Sequence, residues 1–214
     1  MALFALATLL AVGLLLVSER RGSKPGVWIC KPLASTGFVA AAVAGGAWAS
    51  TYGRVVLAAL CLSWLGDVLL IPKDERVFRA GILSFLLGHV AFLAAFLVRG
   101  VAPGWCVVAL VGIAAPSLLV LRWLSPHLRS EMKLPVRAYV TVISLMVVAA
   151  VGTVASAPSW TILAAAVAFF CSDLSVARDR FVQKSFVNRA WGLPLYFGAQ
   201  LLFAVSASSE VLSG

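Results

Sequence analysis

The chain has 214 residues, of which 62% are hydrophobic and 12% are charged, and its mean hydropathy is +1.03. Soluble domains carry about 45–50% apolar and about 25% charged residues, so this composition excludes an ordinary soluble globule, and its high apolar content excludes a disordered chain. The net charge of +9 comes from basic residues in short gaps between long apolar runs, a pattern typical of membrane proteins rather than nucleic-acid-binding proteins. We therefore expect an all-α polytopic membrane protein with one transmembrane domain, residues 1–214, and no nucleic-acid partner.

Eight apolar runs approach the roughly 20 residues that a helix needs to cross a hydrocarbon core. None of them alternates polar and apolar residues as the strands of a membrane barrel do, so we predict helices. The first and third runs are short, and the sixth and seventh meet with hardly any loop between them. The sequence predicts one bundle of eight transmembrane helices with spans at 2–17, 27–49, 55–71, 77–98, 101–124, 138–157, 158–177 and 190–207.

The Lys and Arg residues are distributed unevenly between the two ends of these spans. All but two of the 17 lie in the gaps after odd-numbered spans or at the adjoining span ends, and the exceptions are Arg54 and Arg99. The positive-inside rule then predicts that the odd-numbered gaps are cytoplasmic and that both termini are outside. The charges of the first span follow its apolar run instead of preceding it, so we expect this span to be retained rather than cleaved as a signal peptide.

Four ionisable side chains lie at membrane depth, where a charge costs about 2.5–3.5 kcal/mol to insert and therefore suggests a function. With a rise of 1.5 Å per residue, Lys31 lies about 6 Å inside the cytoplasmic end of its span. Asp67 and Asp173 lie about 7 Å inside, and His89 about 16 Å inside. Three charged groups from three helices thus share one layer, which predicts a pocket that opens toward the cytoplasmic leaflet. The uncharged polar residues near this layer are Ser63, Tyr139, Ser172, Tyr196 and Gln200.

Each of these residues also has a purely structural interpretation. Lys31 could extend its side chain to the head groups, and the two aspartates could pair with Lys31 or cap loops. His89 could form a hydrogen bond to a neighbouring helix. Tyr196 and Gln200, four residues apart on one helical face, could join two helices. Two acids at matching depth, in a chain with only eight acids, nevertheless favour a functional role.

A short internal match relates the two halves of the chain. Asp67 and Asp173 both lie near the ends of odd-numbered spans that run in the same direction. His89 follows Asp67 by 22 residues, and Tyr196 follows Asp173 by 23 residues. This spacing is compatible with a weak 4 + 4 parallel internal repeat.

Five short motifs follow one another along the chain. They are Lys31-Pro32-Leu33, Gly66-Asp67, Phe78-x-x-Gly81-x-x-x-Phe85-x-x-Gly88-His89, Ser172-Asp173 and Tyr196-Phe197-Gly198-Ala199-Gln200. Together these motifs, from about residue 31 to residue 202, resemble the YhhN family of lysoplasmalogenases. The resemblance implies an integral membrane hydrolase that needs no cofactor or metal. Its substrate would be a lysophospholipid whose vinyl ether bond is cleaved to a fatty aldehyde and glycerophospho-ethanolamine or -choline. With no organelle-targeting segment before the first span, the resemblance also indicates a bacterial inner membrane.

This chemistry suits the acids found at membrane depth. A vinyl ether is hydrolysed by protonation of its β-carbon, which creates an oxocarbenium ion that water then attacks. The enzyme needs a general acid and a second carboxylate that stabilises the cation and takes a proton from water, as in glycosidases. Asp67 and Asp173 are the predicted catalytic pair, with their individual roles left open. Lys31 is predicted to bind the lipid phosphate or to keep one aspartate ionised. The residues predicted to bind substrate or orient water are His89, Tyr139, Tyr196 and Gln200.

Two other functions remain open at this point. Asp67, Asp173 and His89 could bind zinc with a water as fourth ligand, although the helical rise places the histidine about 9 Å deeper than the acids. Carboxylates and a histidine inside the membrane are also the parts of a proton-coupled transporter. Transporters usually bind their substrates near the midplane, whereas these acids lie near one surface. The oligomeric state is left open.

Overall fold

The computed structural model describes residues 1–209, and in this range the chain forms eight long helices and no strand. All eight are long and apolar enough to span a membrane, which confirms the predicted fold class. The protein is therefore an integral membrane protein. The helices are α1 (Ala2–Arg21), α2 (Lys24–Ala44), α3 (Thr51–Leu69), α4 (Glu75–Arg99), α5 (Pro103–Leu124), α6 (Ser130–Ser156), α7 (Trp160–Ala177) and α8 (Phe186–Ser209).

The boundary between the second and third spans differs from the prediction. The predicted span continued to residue 49, but α2 ends at Ala44 because Gly46 adopts a φ of 82°, which a right-handed helix does not accommodate. A short 3₁₀ turn, Ala47–Ala49, follows. α3 then begins at Thr51 rather than at 55, because the Ser50 side chain accepts a hydrogen bond from the backbone of the first turn and caps the helix.

The sixth and seventh spans are longer than predicted. α6 begins at Ser130 rather than at 138 and ends at Ser156, and residues 157–159 form the short connection that the sequence indicated. α7 continues directly into a π-helical turn, Arg178–Val182, so the seventh span extends over Trp160–Val182. Asp173 lies nine residues before the end of this longer span, which places it about 13 Å deep.

The helices pack in two corresponding sets of pairs. In the first half α1 packs on α2 and α3 on α4, and in the second half α5 packs on α6 and α7 on α8. The two halves join through α2 with α8 and α6 with α4, and each of α2 and α6 also contacts the helix that follows it. This pairing is what a parallel 4 + 4 repeat would produce. In this arrangement α5, whose side chains are mostly exposed, lies at the periphery of the bundle.

Aromatic rings hold α4 and α8 in register at the centre of the bundle. The rings of Phe85 and Tyr196 lie 5.8 Å apart, and one heptad further along both helices Phe92 stacks on Phe203 at 4.0 Å. Two contacts with equal spacing on both helices mean that α4 and α8 run parallel. Residues between these rings on the two helices therefore lie at the same level of the bundle.

The connections that follow α1, α3, α5 and α7 lie at one end of the bundle, which we call the basic end. The connections after α1, α3 and α7 surround the mouth of a cavity of about 1020 Å³ that extends between the helices. The size is at the upper limit of typical small-molecule sites, about 300–1,000 Å³.

Candidate active site

Asp67, in the last turn of α3, is buried and bonded by three side chains. Lys31 Nζ lies 3.2 Å from its Oδ1 atom, while the hydroxyls of Ser35 and Tyr196 donate to Oδ2 at 2.5 and 2.6 Å. An ammonium group can only donate hydrogen bonds, and charge-assisted donors stabilise the ionised form of a carboxyl group. These surroundings are those of a carboxylate anion.

Lys31 does not extend to the head groups, as one interpretation of the sequence held. The residue is only 6% exposed, and its ammonium pairs with Asp67. Ser35, one helical turn further along α2, faces the same carboxylate. Ser35 was not predicted as a site residue, although its position four residues after Lys31 on one helical face was an available signal.

Asp173 on α7 has a different set of partners. Tyr139 on α6 donates its hydroxyl to Asp173 Oδ2 at 2.7 Å, and His89 Nε2 lies 3.5 Å from the same atom. The Asp173 side chain is 18% exposed and lines the cavity. No Lys or Arg among residues 1–209 forms an ion pair with it. Its partners are thus a phenol and an imidazole.

The imidazole of His89 is oriented by its other nitrogen. Nδ1 lies 2.7 Å from the carbonyl oxygen of Phe85, and because a carbonyl only accepts, Nδ1 must carry a hydrogen. In the neutral ring Nε2 then has a lone pair directed toward Asp173, and in the charged ring it has a hydrogen. In either state the facing pair of His89 and Asp173 can share one proton.

The predicted 9 Å difference in depth between His89 and the aspartates is wrong for Asp173. The two side chains approach to 3.5 Å, because α7 continues into the π-helical turn and carries Asp173 deeper than the predicted span allowed. Phe169, one turn before Asp173, packs against the histidine ring with a centroid distance of 4.3 Å. The ring is fully buried at this level.

The three residues considered as zinc ligands fall into two separate groups. His89 faces Asp173, whereas Asp67 faces Lys31, Ser35 and Tyr196. In the part of the chain that the structure describes, no three His, Cys, Asp or Glu side chains come together in an arrangement suited to a metal ion. The donor set therefore does not fit a zinc site.

Both aspartates line the large cavity, together with Lys31, Tyr139 and Tyr196. The other two residues predicted to bind substrate, His89 and Gln200, are fully buried and lie outside the cavity lining. The ring register of α4 and α8 places them at one level, further from the basic end than Tyr196. His89 reaches the cavity through Asp173, while the Gln200 amide has no hydrogen-bond partner among the described residues.

Beyond the aspartates, the cavity wall becomes apolar. It continues along α6 and α7, where its lining includes Val140, Ile143 and Phe170. A cavity with a polar centre, an apolar branch and an opening at a membrane surface suits an amphipathic molecule with a hydrocarbon chain. Two carboxyl groups with unlike partners at its centre suit acid–base chemistry.

Comparison with known proteins shows where this chain belongs. Residues 26–207 match the YhhN family. Lysoplasmalogenase TMEM86A of Bos taurus is 34% identical over 160 residues, which cover 71% of this chain and 64% of that protein. A lysoplasmalogenase of Mycobacterium tuberculosis is 35% identical over 150 residues, covering 67% of this chain and 55% of that protein.

Lysoplasmalogenase TMEM86B of Rattus norvegicus is 32% identical over 178 residues, which cover 83% of this chain and 70% of that protein. The chain thus spans less than two thirds of the bovine and mycobacterial relatives and somewhat more of the rat relative. No solved structure gives a significant match. On the strength of the match over most of its length, the chain belongs to the YhhN family.

Proposed function

We propose that this protein hydrolyses the vinyl ether bond of lysoplasmalogens, releasing a fatty aldehyde and glycerophospho-ethanolamine or -choline. The observation that carries the proposal is the pair of unlike aspartates, Asp67 and Asp173, at the centre of one cavity with an apolar branch. Family membership and the names of the relatives support the substrate class.

Asp173 is the general acid in this proposal. It faces the cavity, and His89 Nε2 lies 3.5 Å from its Oδ2 atom. The Tyr139 hydroxyl orients the carboxyl group from the other side. When the carboxyl proton is transferred to the β-carbon of the vinyl ether, the π electrons form the new C–H bond. A lone pair of the ether oxygen is then shared with the adjacent carbon, which produces an oxocarbenium ion.

Asp67 is the anion that stabilises this cation. Its charge is held in place by Lys31, Ser35 and Tyr196, so it is oriented before the reaction begins. A water oxygen then bonds to the cationic carbon and loses a proton to a carboxylate. The resulting hemiacetal breaks its bond to the glycerol oxygen, which takes up a proton, and the aldehyde is released.

The cavity opens at the basic end, which by the positive-inside rule faces the cytoplasm. A lysolipid would enter from the inner leaflet with its head group at the mouth and its hydrocarbon chain in the apolar branch. The location in a bacterial inner membrane belongs to the same proposal.

The decisive experiment measures aldehyde release from lysoplasmenyl-ethanolamine by the detergent-purified protein. We expect aldehyde from the vinyl ether and none from the matched saturated alkyl ether. In D₂O the aldehyde should carry one deuterium at the carbon next to the carbonyl, since that carbon receives the acid proton. Aldehyde without this label would contradict protonation at carbon, and the absence of aldehyde from well-folded protein would overturn the proposed function.

A further inference from the structure

Three lysines line the mouth of the cavity at the basic end. Lys24 begins α2, Lys73 lies in the connection between α3 and α4, and Lys184 lies just before α8. They come from three separate connections, yet they surround one opening. Within residues 1–209, none of the three forms an ion pair or a side-chain hydrogen bond.

The arginines around the same mouth are already neutralised. Arg189 contacts Asp179 at 2.9 Å and Glu19 at 3.5 Å, and Arg180 contacts Glu75 at 2.6 Å. The acids that line the mouth, Glu19 and Asp179, are therefore both paired with Arg189. The basic side chains at the mouth that form no ion pair within residues 1–209 are the three lysines.

The deeper lysine is not available for an anionic ligand. Lys31 is buried against Asp67, so it cannot bind a lipid phosphate without leaving that carboxylate unpaired in the bundle. Lys24 lies seven residues before Lys31 on the same helix, which is two turns or about 10 Å closer to the membrane surface. Lys24 thus lies closer to the membrane surface than Lys31, whose ammonium group contacts Asp67.

We propose that Lys24, Lys73 and Lys184 form a subsite for the phosphate of the substrate head group. This inference rests on the proposed function, and it specifies how the head group is recognised. With the phosphate held at the mouth, the ether at the sn-1 oxygen lies between the aspartates and the chain continues into the apolar branch. The subsite recognises phosphate and is indifferent to whether the head group is ethanolamine or choline.

The test compares a triple variant, Lys24→Gln with Lys73→Gln and Lys184→Gln, with wild-type protein on two substrates. One is lysoplasmenyl-ethanolamine and the other is the 1-alkenylglycerol of the same chain length, which lacks the phosphate. We expect the KM for the phospholipid to rise about tenfold in the triple variant, since three exposed charge interactions are lost. The kcat for the phospholipid and both constants for the alkenylglycerol should change less than twofold.

Lys133→Gln is the matched control. Lys133 is an exposed lysine at the same end of the bundle, but it lines a separate small pocket beside Arg137. Its loss should leave the kinetics of both substrates unchanged. An equal KM increase for both substrates in the triple variant would mean that the lysines do not act on the phosphate. The same increase for the phospholipid in Lys133→Gln would mean that basic residues attract the lipid to this surface in general. Either result would overturn the subsite.

Inorganic phosphate distinguishes the two sources of this ligand. Competitive inhibition of alkenylglycerol hydrolysis in wild-type protein, and its loss in the triple variant, would show that the subsite also accepts the free ion. Equal inhibition of both proteins would contradict the assignment. A wild-type protein that cleaves neither substrate would refute the proposed function itself, whereas one that cleaves both, with kinetics that the triple variant does not alter, would refute the phosphate subsite alone.

Discussion

Asp67 and Asp173 carry the same side chain, and the donors around them make them chemically unlike. Asp67 receives an ammonium and two hydroxyls, while Asp173 receives one phenol and faces an imidazole. Removing one partner of a buried ion pair such as Lys31–Asp67 strongly destabilises the folded protein, because the other charge is left without compensation. The cluster around Asp173 contains no permanently charged partner that would be left buried and unpaired if Asp173 were replaced.

Asp173→Asn and Asp67→Asn should therefore differ in stability although both lower activity. We expect each to reduce turnover at least about 100-fold, the usual contribution of a general acid or base. Asp67→Asn should also lose roughly 3–5 kcal/mol of stability because it leaves Lys31 buried and unpaired, and Asp173→Asn should lose much less. Aldehyde release and thermal unfolding in detergent measure the two effects.

Asp74→Asn is the control for these two variants. Asp74 caps α4 by accepting from the backbone of Arg76 and Val77 at the exposed end, and asparagine caps a helix equally well. Its activity and stability should remain those of wild type. Normal turnover in a folded Asp173→Asn protein would contradict its assignment as the acid.

Ser35→Ala tests the partner of Asp67 that was not predicted from the sequence. Removing this hydroxyl takes one donor from the Asp67 carboxylate, so we expect turnover to fall about tenfold, from the roughly 1.5–3 kcal/mol that a hydrogen bond to a charged group contributes. Ser84→Ala is the matched control, since Ser84 is also a buried serine and donates to the carbonyl of Leu62 away from the site. If both variants lose similar stability and only Ser35→Ala loses turnover, Ser35 has a role in the reaction. Equal turnover in the two variants would exclude that role.

At the scale of elements, the turn between α7 and α8 joins the two helices that carry Asp173 and Tyr196. The fully buried Asn188 accepts from Arg178 at 2.8 Å and donates to Asp179 and to the carbonyl of Gln183. These bonds satisfy polar groups at the end of the π-helical turn. The helices then pack closely further along, where Gly192 lies against Ser175.

Gly192→Ala should disturb this packing. A Cβ atom at position 192 would overlap the Ser175 hydroxyl and lie 2.5 Å from its Cβ, so α7 and α8 would have to separate, at a cost of about 1–3 kcal/mol. Gly198→Ala on the same helix is the control, because nothing lies within 4 Å of its added Cβ. We expect a lower unfolding temperature and reduced turnover for Gly192→Ala only. An unchanged unfolding temperature and turnover in Gly192→Ala would mean that α7 and α8 do not pack closely at this position.

For the molecule as a whole, the cavity mouth and most of the basic residues lie at the same end. The positive-inside rule predicts that this end faces the cytoplasm, and under the proposed function the substrate would then enter from the inner leaflet. The opposite end includes the short connection 157–159 between α6 and α7. The two ends can therefore be labelled separately in intact cells.

Single cysteines at the two ends test this orientation in a variant whose four native cysteines are replaced. Ser159→Cys, in the α6–α7 connection, should react with a membrane-impermeant maleimide added outside. Lys133→Cys should react only after the membrane is permeabilised. The reverse pattern would place the cavity mouth in the outer leaflet and would reverse the side of substrate entry.

The number and nature of the helices were predictable because a bilayer allows few alternatives. An apolar run in lipid must satisfy its backbone hydrogen bonds internally, so it forms a helix. The ends of the helices were less predictable, since they depend on local turns such as the one at Gly46. Depth along each span identified Lys31, Asp67 and Asp173 as site candidates, and all three line the cavity.

The sequence by itself determined the class of fold, the basic end of the bundle and the ionisable residues that are costly to place inside a membrane. Hydropathy and charge vary along the membrane normal, so they can be read from a linear chain. The tertiary structure decided which of these residues meet. Rotation about each helix axis and lateral packing are set by contacts between distant segments, which depth does not encode. For that reason the pairing of Lys31 with Asp67, the approach of His89 to Asp173 and the contribution of Ser35 appear only in the folded bundle.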